Sequence, residues 1–196
     1  IDRIVGYTGA KPRGRLIMPQ KAIHILEKAF KDCDEISCID VSECIDLITL
    51  EVPNTNITDI NLSKCSKLMR LNLNNTGIEK IDLSKNSNLT ALLLANTKIN
   101  ELELPECKDL GTLDLTGTGI TRLDTWKCKK LYGLYLSNTK IESLDVSYFP
   151  NLHTLNLAKT NIKNEFGYDA KHYTSEEYHD KKKSKEIRNL MGYYKQ

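Results

Sequence analysis

A tandem repeat constrains the fold of this 196-residue chain more than any other feature of its sequence. Six leucines follow one another at a constant spacing of 21 residues, at Leu47, Leu68, Leu89, Leu110, Leu131 and Leu152. The same period separates a second leucine column, a leucine or valine column, an isoleucine column and the threonines Thr55, Thr76, Thr97, Thr118, Thr139 and Thr160. Agreement in all six units and five columns excludes coincidence. Residues 47–172 therefore form six repeat units, the last of them incomplete.

The spacing within one unit indicates its local structure. Each unit contains two apolar residues separated by one position, as at Leu71 and Leu73, and this alternation is typical of a strand with one buried face. A unit of this size cannot bury that face alone, so we expect the units to stack and their strands to pair in parallel, about 4.8 Å apart. The second half of the unit also alternates but is too short for a crossover α-helix. We therefore expect extended or 3₁₀ segments on the outer side.

The repeat unit reads L-x-x-L-x-L-x-x-T-x-I-x-x-L-D-L-S-x-C-x-x, and it resembles the leucine-rich-repeat family. Within that family it is similar to the short-repeat bacterial surface proteins, especially the internalins. The resemblance implies an α/β solenoid, a right-handed superhelix with a parallel β-sheet on its concave face. The family usually places asparagine where this chain has its threonine column. A threonine hydroxyl can bond the backbone of a neighbouring loop, although it has one donor where the amide has two.

The N-terminal segment, residues 1–46, is predicted to cap the first repeat. An amphipathic helix is expected over 19–31, with a proline at a permitted first-turn position. Its apolar residues share one face, which would cover the open end of the sheet: Ile23, Leu26, Ala29 and Phe30. Residues 32–46 match the second half of a repeat. Residues 1–18 are expected to form a loop or the remains of a linker.

The C-terminal segment, residues 173–196, is predicted to form a second cap helix or tail. Thr174 and Glu177 have capping-box spacing, which favours a helix start. A stripe at helical spacing follows, formed by Ile187, Leu190, Met191 and Tyr194. A helix that closes the core explains these residues without a ligand.

Four of the six cysteines occupy one repeat column, at Cys44, Cys65, Cys107 and Cys128. Asn86 and Phe149 fill the same column in the other units. Stacking requires buried side chains there, and free cysteine suits that role. Because parallel side chains hold the Cβ atoms of adjacent units too far apart for a disulfide, we expect free thiols in the column. Cys33 and Cys38 lie outside it and are the one pair for which a disulfide remains open.

Composition and charge argue against several function classes. Lys+Arg total 28 and Asp+Glu 26, so the formal net charge is +2, and we expect neither a nucleic-acid partner nor membrane insertion. The histidines have no serine or cysteine at a spacing typical of nucleophilic catalysis. His172 and His179 lie near acidic residues, but a solvated surface explains them better than a metal site. The absence of C-x-x-C disfavours a zinc site. We expect no enzyme activity, no cofactor and no metal.

The concave face is the surface on which we expect binding. Its outward-pointing residues are mostly small and weakly charged, which suits a large partner. Leu93 and Tyr135 are predicted to project from it, with Tyr132 and His153 just before the strands. Exposed tyrosine and leucine beside arginine and aspartate are typical of binding hot spots. The candidate binding residues are Arg70, Asn72, Leu93, Asp114, Tyr132, Tyr135, His153 and Asn156.

The function predicted from these features is non-catalytic recognition of a macromolecular partner by the concave face. The partner is expected to be a protein, with a glycan as the second choice. The resemblance implies a bacterial surface or secreted protein, with a cytoplasmic location as the alternative. Two further functions remain open: a substrate-docking or sensor domain of a larger enzyme or signalling protein, and a passive spacer.

Overall fold

The computed structural model describes residues 3–4, 6, 10–144, 149–162 and 172–173. The strands before the regular repeats are β1 (Arg3–Ile4), β2 (Gly14–Ile17), β3 (His24–Ile25) and β4 (Ile36–Asp40). The strands of the six repeats are β5 (Thr49–Glu51), β6 (Arg70–Asn72), β7 (Ala91–Leu93), β8 (Thr112–Asp114), β9 (Gly133–Tyr135) and β10 (Thr154–Asn156). β11 (His172–Tyr173) follows them, and a 3₁₀ helix spans Glu27–Phe30.

Nine strands of the described residues form one sheet in the order β1-β3-β5-β6-β7-β8-β9-β10-β11. Its neighbouring strands are parallel, except that β11 runs antiparallel to β10. Between β5 and β10 the register advances by one repeat per strand, so that Leu50 lies opposite Leu71 and Leu71 opposite Leu92. β2 and β4 form a separate parallel pair. The predicted solenoid with a parallel sheet is confirmed, and within the described ranges the only helical segment is the short 3₁₀ helix.

The core is a stack of leucines from the middle of each strand. Leu50, Leu71, Leu92, Leu113, Leu134 and Leu155 are each at most 1% exposed. Full burial of one such side chain contributes about 1.5–3 kcal/mol. In β6–β9 each central leucine lies between the equivalent leucines of the units before and after it, so the stabilisation depends on stacking and we expect no unit to be stable alone.

The threonine column stabilises the turn that follows each strand. Every threonine hydroxyl donates to the carbonyl oxygen three residues earlier in its own unit, with O···O distances of 2.7–2.9 Å. The hydroxyls therefore bond their own unit and not the backbone of a neighbouring one. The reason is local: the residue before each threonine has a positive φ of 56–71°, which turns the chain back on itself. The hydroxyl consequently meets its own strand end before it can reach another unit.

Asparagines at these positive-φ positions supply the contact between units. Asn75 donates from Nδ2 to Oδ1 of Asn54, and Asn96 donates likewise to Asn75, each at 2.8 Å. Asparagine tolerates left-handed backbone better than most residues. It can therefore occupy the turn and bond the neighbouring unit with its side chain. Gly117 has the same backbone conformation in the next unit, with φ of 71°, and ends this asparagine ladder.

The convex side is extended, as predicted, and is shaped by short polar turns. The carboxylate of Asp40 accepts hydrogen bonds from the backbone N–H and the hydroxyl of Ser42, at 3.1 and 2.7 Å. Asn61 and Ser63 repeat this arrangement one unit later. The bonds from Ser42, together with that from Arg15, lower the pKa of Asp40 to about 2. The D-L-S part of the repeat is therefore a turn signal.

The predicted helix over 19–31 is wrong. In its place lie β3 and the 3₁₀ helix Glu27–Phe30. Ala22 and Ile25 are fully buried, and Ile25 pairs with Leu50, which makes this segment another turn of the solenoid. It is 25 rather than 21 residues long, since His24 lies opposite Thr49, and the 3₁₀ helix follows its strand. Apolar residues three apart fit a repeat and a helix equally, and strand pairing decides between them.

The solenoid begins earlier than the sequence predicted. Residues 1–18 contain β1 and β2 rather than only a loop, and Arg3 lies opposite His24, one 21-residue period later. At the other end, the predicted C-terminal cap helix within residues 173–196 lies outside the described residues, apart from the strand position of Tyr173.

The cysteine column consists of free buried thiols, as predicted. Its four cysteines, Cys44, Cys65, Cys107 and Cys128, are free and 0% exposed. Burial raises the pKa of Cys65 and Cys107 to about 11 and that of Cys128 to about 12. These thiols are therefore protonated and unreactive near neutral pH. Cys33 and Cys38, for which a disulfide was open, are free as well.

Asn86 is the polar member of the cysteine column and is also fully buried. Its Nδ2 donates to the carbonyl oxygens of Leu62 and Cys65, at 3.3 and 2.9 Å. These bonds tie its unit to the preceding one. Its Oδ1 has no hydrogen-bond partner among the described residues.

Candidate functional site

The concave face is defined here by the first and third residues of β5–β10, which flank the buried central leucine of each strand. The third residues form one row across the sheet: Glu51, Asn72, Leu93, Asp114, Tyr135 and Asn156. Neighbours in this row lie about 4.8 Å apart, the spacing of paired strands. Five of the predicted binding residues belong to this row, and Arg70 opens β6 beside it. Only Glu51, Arg70 and Asp114 are charged among the residues that define the concave face.

Three members of the row share one backbone contact. Oδ1 of Asn72, Asp114 and Asn156 accepts the N–H of the residue two positions later, at 3.1, 3.0 and 3.1 Å. This contact holds the end of each strand in its turn. Asn72 is only 6% exposed, so most of its predicted binding surface is inaccessible. Asp114 and Asn156 are more accessible.

The charges of Glu51 and Arg70 are paired with each other. Nε of Arg70 donates to Oε1 of Glu51, and Oε2 of Glu51 accepts the backbone N–H of Glu27 at 3.3 Å. About half of the Arg70 side chain is exposed, against 13% of that of Glu51. The predicted binding residue Arg70 is therefore positioned by a carboxylate of the neighbouring strand. Asp114 forms no ion pair with any described residue.

The sequence suggested that Tyr135 projects freely from the concave face. In the structure its side chain instead packs back along its own strand. A Cβ atom added to Gly133 would lie 3.1 Å from Cε2 and 3.4 Å from the hydroxyl oxygen of Tyr135. The ring edge therefore occupies the space that a side chain at Gly133 would need. Both Tyr135 and Leu93 are partly buried. The sequence places Gly133 on the concave face, and a glycine two residues before an aromatic residue on the same strand face is the signal for this close packing.

Tyr132 and His153 form an aromatic pair at the edge of the sheet where the strands begin. Their ring centroids are 4.7 Å apart with an interplanar angle of 19°, which is a stacked geometry. Tyr132 is 52% exposed. The sequence placed both residues just before their strands, and the structure brings them together. Gly111 takes the equivalent place one repeat before Tyr132 and leaves that edge without a side chain.

The described residues contain no group of three or more histidine, cysteine, aspartate or glutamate side chains arranged to hold a metal ion. In the same part of the chain, no helix has the length and apolar composition needed to cross a membrane. The concave face offers hydrogen-bonding groups, a carboxylate that has no ion pair with a described residue, and aromatic surface, all of which can bind a ligand.

Comparison with known proteins establishes the architecture. No family model matches the sequence, and no curated protein matches it. Among solved structures, a leucine-rich-repeat protein of Leptospira interrogans is similar with a TM-score of 0.61 and 20% identity, over 74% of this chain and 39% of that one. The functional domain of InlJ from Listeria monocytogenes, which includes a cysteine ladder, has a TM-score of 0.55 and 24% identity over 72% and 35%. The chain thus has the short-repeat leucine-rich-repeat fold that its sequence resembles.

A third similar structure is a complex of TLR13 with a single-stranded RNA. Its TM-score is 0.50 and its identity 20%, over 74% of this chain and 24% of that one. The chain spans well under half the length of each of these three proteins. At such identities the likeness concerns the fold, which is shared by proteins with different ligands.

Proposed function

We propose that this chain is a non-catalytic recognition module that binds a partner protein through its concave face. The observation that carries the proposal is the composition of that face: six registered strands present small polar residues, two partly buried apolar side chains and few charges. Such a surface allows close approach of a large partner with little desolvation of charged groups. Leu93 and Tyr135 supply the apolar contacts at its centre, and the Tyr132–His153 pair lies at its edge.

A protein partner is favoured over a nucleic acid by the charges of the face. Nucleic-acid binding requires a basic surface that neutralises phosphates. The single basic residue among those that define the concave face, Arg70, is paired with Glu51. A glycan remains the second choice, since aromatic rings beside aspartate and asparagine can also bind sugars. The setting we propose, a bacterial surface or secreted protein, rests on the internalin-like repeat.

The test uses the full 196-residue chain as an immobilised bait. A protein that it captures is identified by mass spectrometry and purified, and its affinity is then measured for the wild type and for two variants. Leu93→Ala combined with Tyr135→Ala removes the central contacts of the concave face. Trp126→Ala is the matched control, because Trp126 is 49% exposed but lies in a turn outside that face.

We expect the double variant to bind at least tenfold more weakly, and Trp126→Ala to bind like the wild type. Equal affinity of all three proteins would favour a passive spacer or a different binding surface. Capture of a nucleic acid or a small metabolite instead of a protein would also contradict the proposal. A catalytic domain elsewhere in the full-length protein would favour the substrate-docking alternative.

A further inference from the structure

The charge of Asp114 is not required by the fold. Its Oδ1 makes the same bond to the backbone N–H two residues later that Asn72 and Asn156 make from equivalent positions. An amide oxygen is therefore sufficient for this turn. Glu51, the other carboxylate of the row, is neutralised by Arg70, whereas Asp114 forms no ion pair with a described residue. An unpaired charge near the centre of a face that is otherwise almost neutral favours one particular kind of ligand.

The neighbours of Asp114 shape a slot above β8. Leu93 and Tyr135 lie directly opposite Asp114 on the strands to either side. Their backbones are two strand spacings, about 10 Å, apart, while the residues of β8 between them are short. The slot has Thr112 and Asp114 as its floor, an aliphatic wall at Leu93 and an aromatic wall at Tyr135.

One end of this slot is open. Gly111 precedes β8, and a Cβ atom added to it would meet only the carbonyl oxygen of Thr90, at 3.7 Å. Past the other end of β8, the Asn96 carboxamide packs against Gly117, with Oδ1 2.2 Å from the position of an added Cβ atom. A long side chain can therefore enter past Gly111 and reach Asp114 along the strand.

We propose that this slot binds an arginine side chain of the partner protein. The proposal rests on the proposed function, since it names the chemistry that the concave face recognises. The Asp114 carboxylate uses one oxygen partly for its turn and keeps further lone pairs for a guanidinium, whose planar N–H groups match a carboxylate. The Tyr135 ring, which lies back over Gly133, and Leu93 on the other side would contact the aliphatic stem on its way to Asp114. Because arginine keeps its charge at all physiological pH values, the interaction does not depend on a titration of the ligand.

The experiment selects ligands from a random-sequence peptide library displayed on phage, with the full chain as target. Selected peptides are synthesised, and their affinities are measured by fluorescence anisotropy. Each arginine is then replaced by citrulline, which has a similar shape but no charge. We expect the selected peptides to share an arginine, whose replacement weakens binding at least tenfold, the effect of a lost charge-assisted hydrogen bond.

The protein variant is Asp114→Asn, which preserves the turn in the manner of Asn72 and Asn156. We expect this variant to bind the peptides at least tenfold more weakly than the wild type does, with an unchanged urea unfolding midpoint. Replacing arginine by citrulline should reduce the affinity for this variant little further, because the protein change and the peptide change remove the same interaction. Asp109→Asn is the matched control: Asp109 is exposed and pairs with Lys130 away from the concave face, so this variant changes the net charge equally and should bind normally.

The outcomes separate this inference from the proposed function. Peptides that lack arginine but lose affinity for the Leu93→Ala, Tyr135→Ala variant would overturn the arginine slot and leave concave-face recognition intact. Arginine peptides that bind Asp114→Asn as well as the wild type would also overturn the slot. Peptides that bind the double variant normally would contradict both. A library that yields no binding peptide would count against the slot, while the bait experiment above would still test the module.

Discussion

Two glycines of the fourth repeat are expected to respond oppositely to the same substitution, although they lie six residues apart. Gly117 has φ of 71°, and a Cβ atom there would lie 2.2 Å from Oδ1 of Asn96. Gly111 has no positive φ, and its added Cβ atom would make one ordinary contact at 3.7 Å. Because both substitutions replace glycine by alanine, any difference between them reports the backbone conformation and the local space at the two positions.

The magnitudes follow from these geometries. Left-handed backbone costs alanine about 1–2 kcal/mol, and a displaced Asn96 side chain loses its bond to Asn75, worth about 0.5–1 kcal/mol. Alanine also reduces the conformational entropy of the unfolded chain, which stabilises the folded protein by about 0.4–1 kcal/mol. We therefore expect Gly117→Ala to destabilise the protein by about 1–2 kcal/mol. For Gly111→Ala only the effect on the unfolded chain applies, so this variant should stabilise the protein by about 0.4–1 kcal/mol.

Urea unfolding followed by circular dichroism measures both variants against the wild type. With a slope of about 1–3 kcal/mol/M, the two midpoints should differ by about 1 M, in opposite directions from the wild type. Gly117→Asn is the third variant: it is larger than alanine but should cost less, since Asn54, Asn75 and Asn96 already occupy this conformation. If Gly117→Ala were as stable as Gly111→Ala, or Gly117→Asn less stable than Gly117→Ala, the conformational argument would be refuted.

Three further predictions concern the interior. A thiol reagent at pH 8 should modify Cys38, which is partly exposed, much faster than the buried Cys128, as read by mass spectrometry of digested protein; equal rates would contradict the buried column. Since burial raises the pKa of Cys107 from 9.0 to about 11, the unfolded state ionises first, and the free energy of unfolding should fall as the pH rises from 9 to 11. Cys107→Ala should show a smaller fall in urea titrations, and an equal fall would contradict this assignment. Thr97→Val should cost about 1 kcal/mol by removing the 2.7 Å bond to Leu94, whereas Thr97→Ser, which keeps a hydroxyl, should cost less; the reverse order in urea unfolding would be inconsistent with that bond.

The sequence alone was sufficient to predict the regular part of the fold. A constant 21-residue period fixes which residues meet, so the pairing of Leu71 with Leu92 and the burial of the cysteine column could be read directly from the spacing. The prediction was wrong over 19–31, where the period changes to 25 residues. The predicted helical face used Ile23 and Leu26, which are only partly buried, whereas Ala22 and Ile25, also three residues apart, are the buried pair. A helix and a repeat share this spacing, and only the pairing of β3 with β5 distinguishes the two.

The candidate site was predictable in outline and undetermined in detail. The alternation of each strand placed Asp114 and Tyr135 on the outer face, because side-chain direction along a strand is a local property. Which charges are neutralised and which spaces are filled depends on contacts across strands or along a face. Only the tertiary structure showed that Arg70 is paired with Glu51 and that Tyr135 fills the space above Gly133. It also showed that Asp114, between Leu93 and Tyr135, forms no ion pair with a described residue. Local periodicity therefore determined the scaffold, whereas the distribution of charge and space on its surface was decided by how the folded side chains meet.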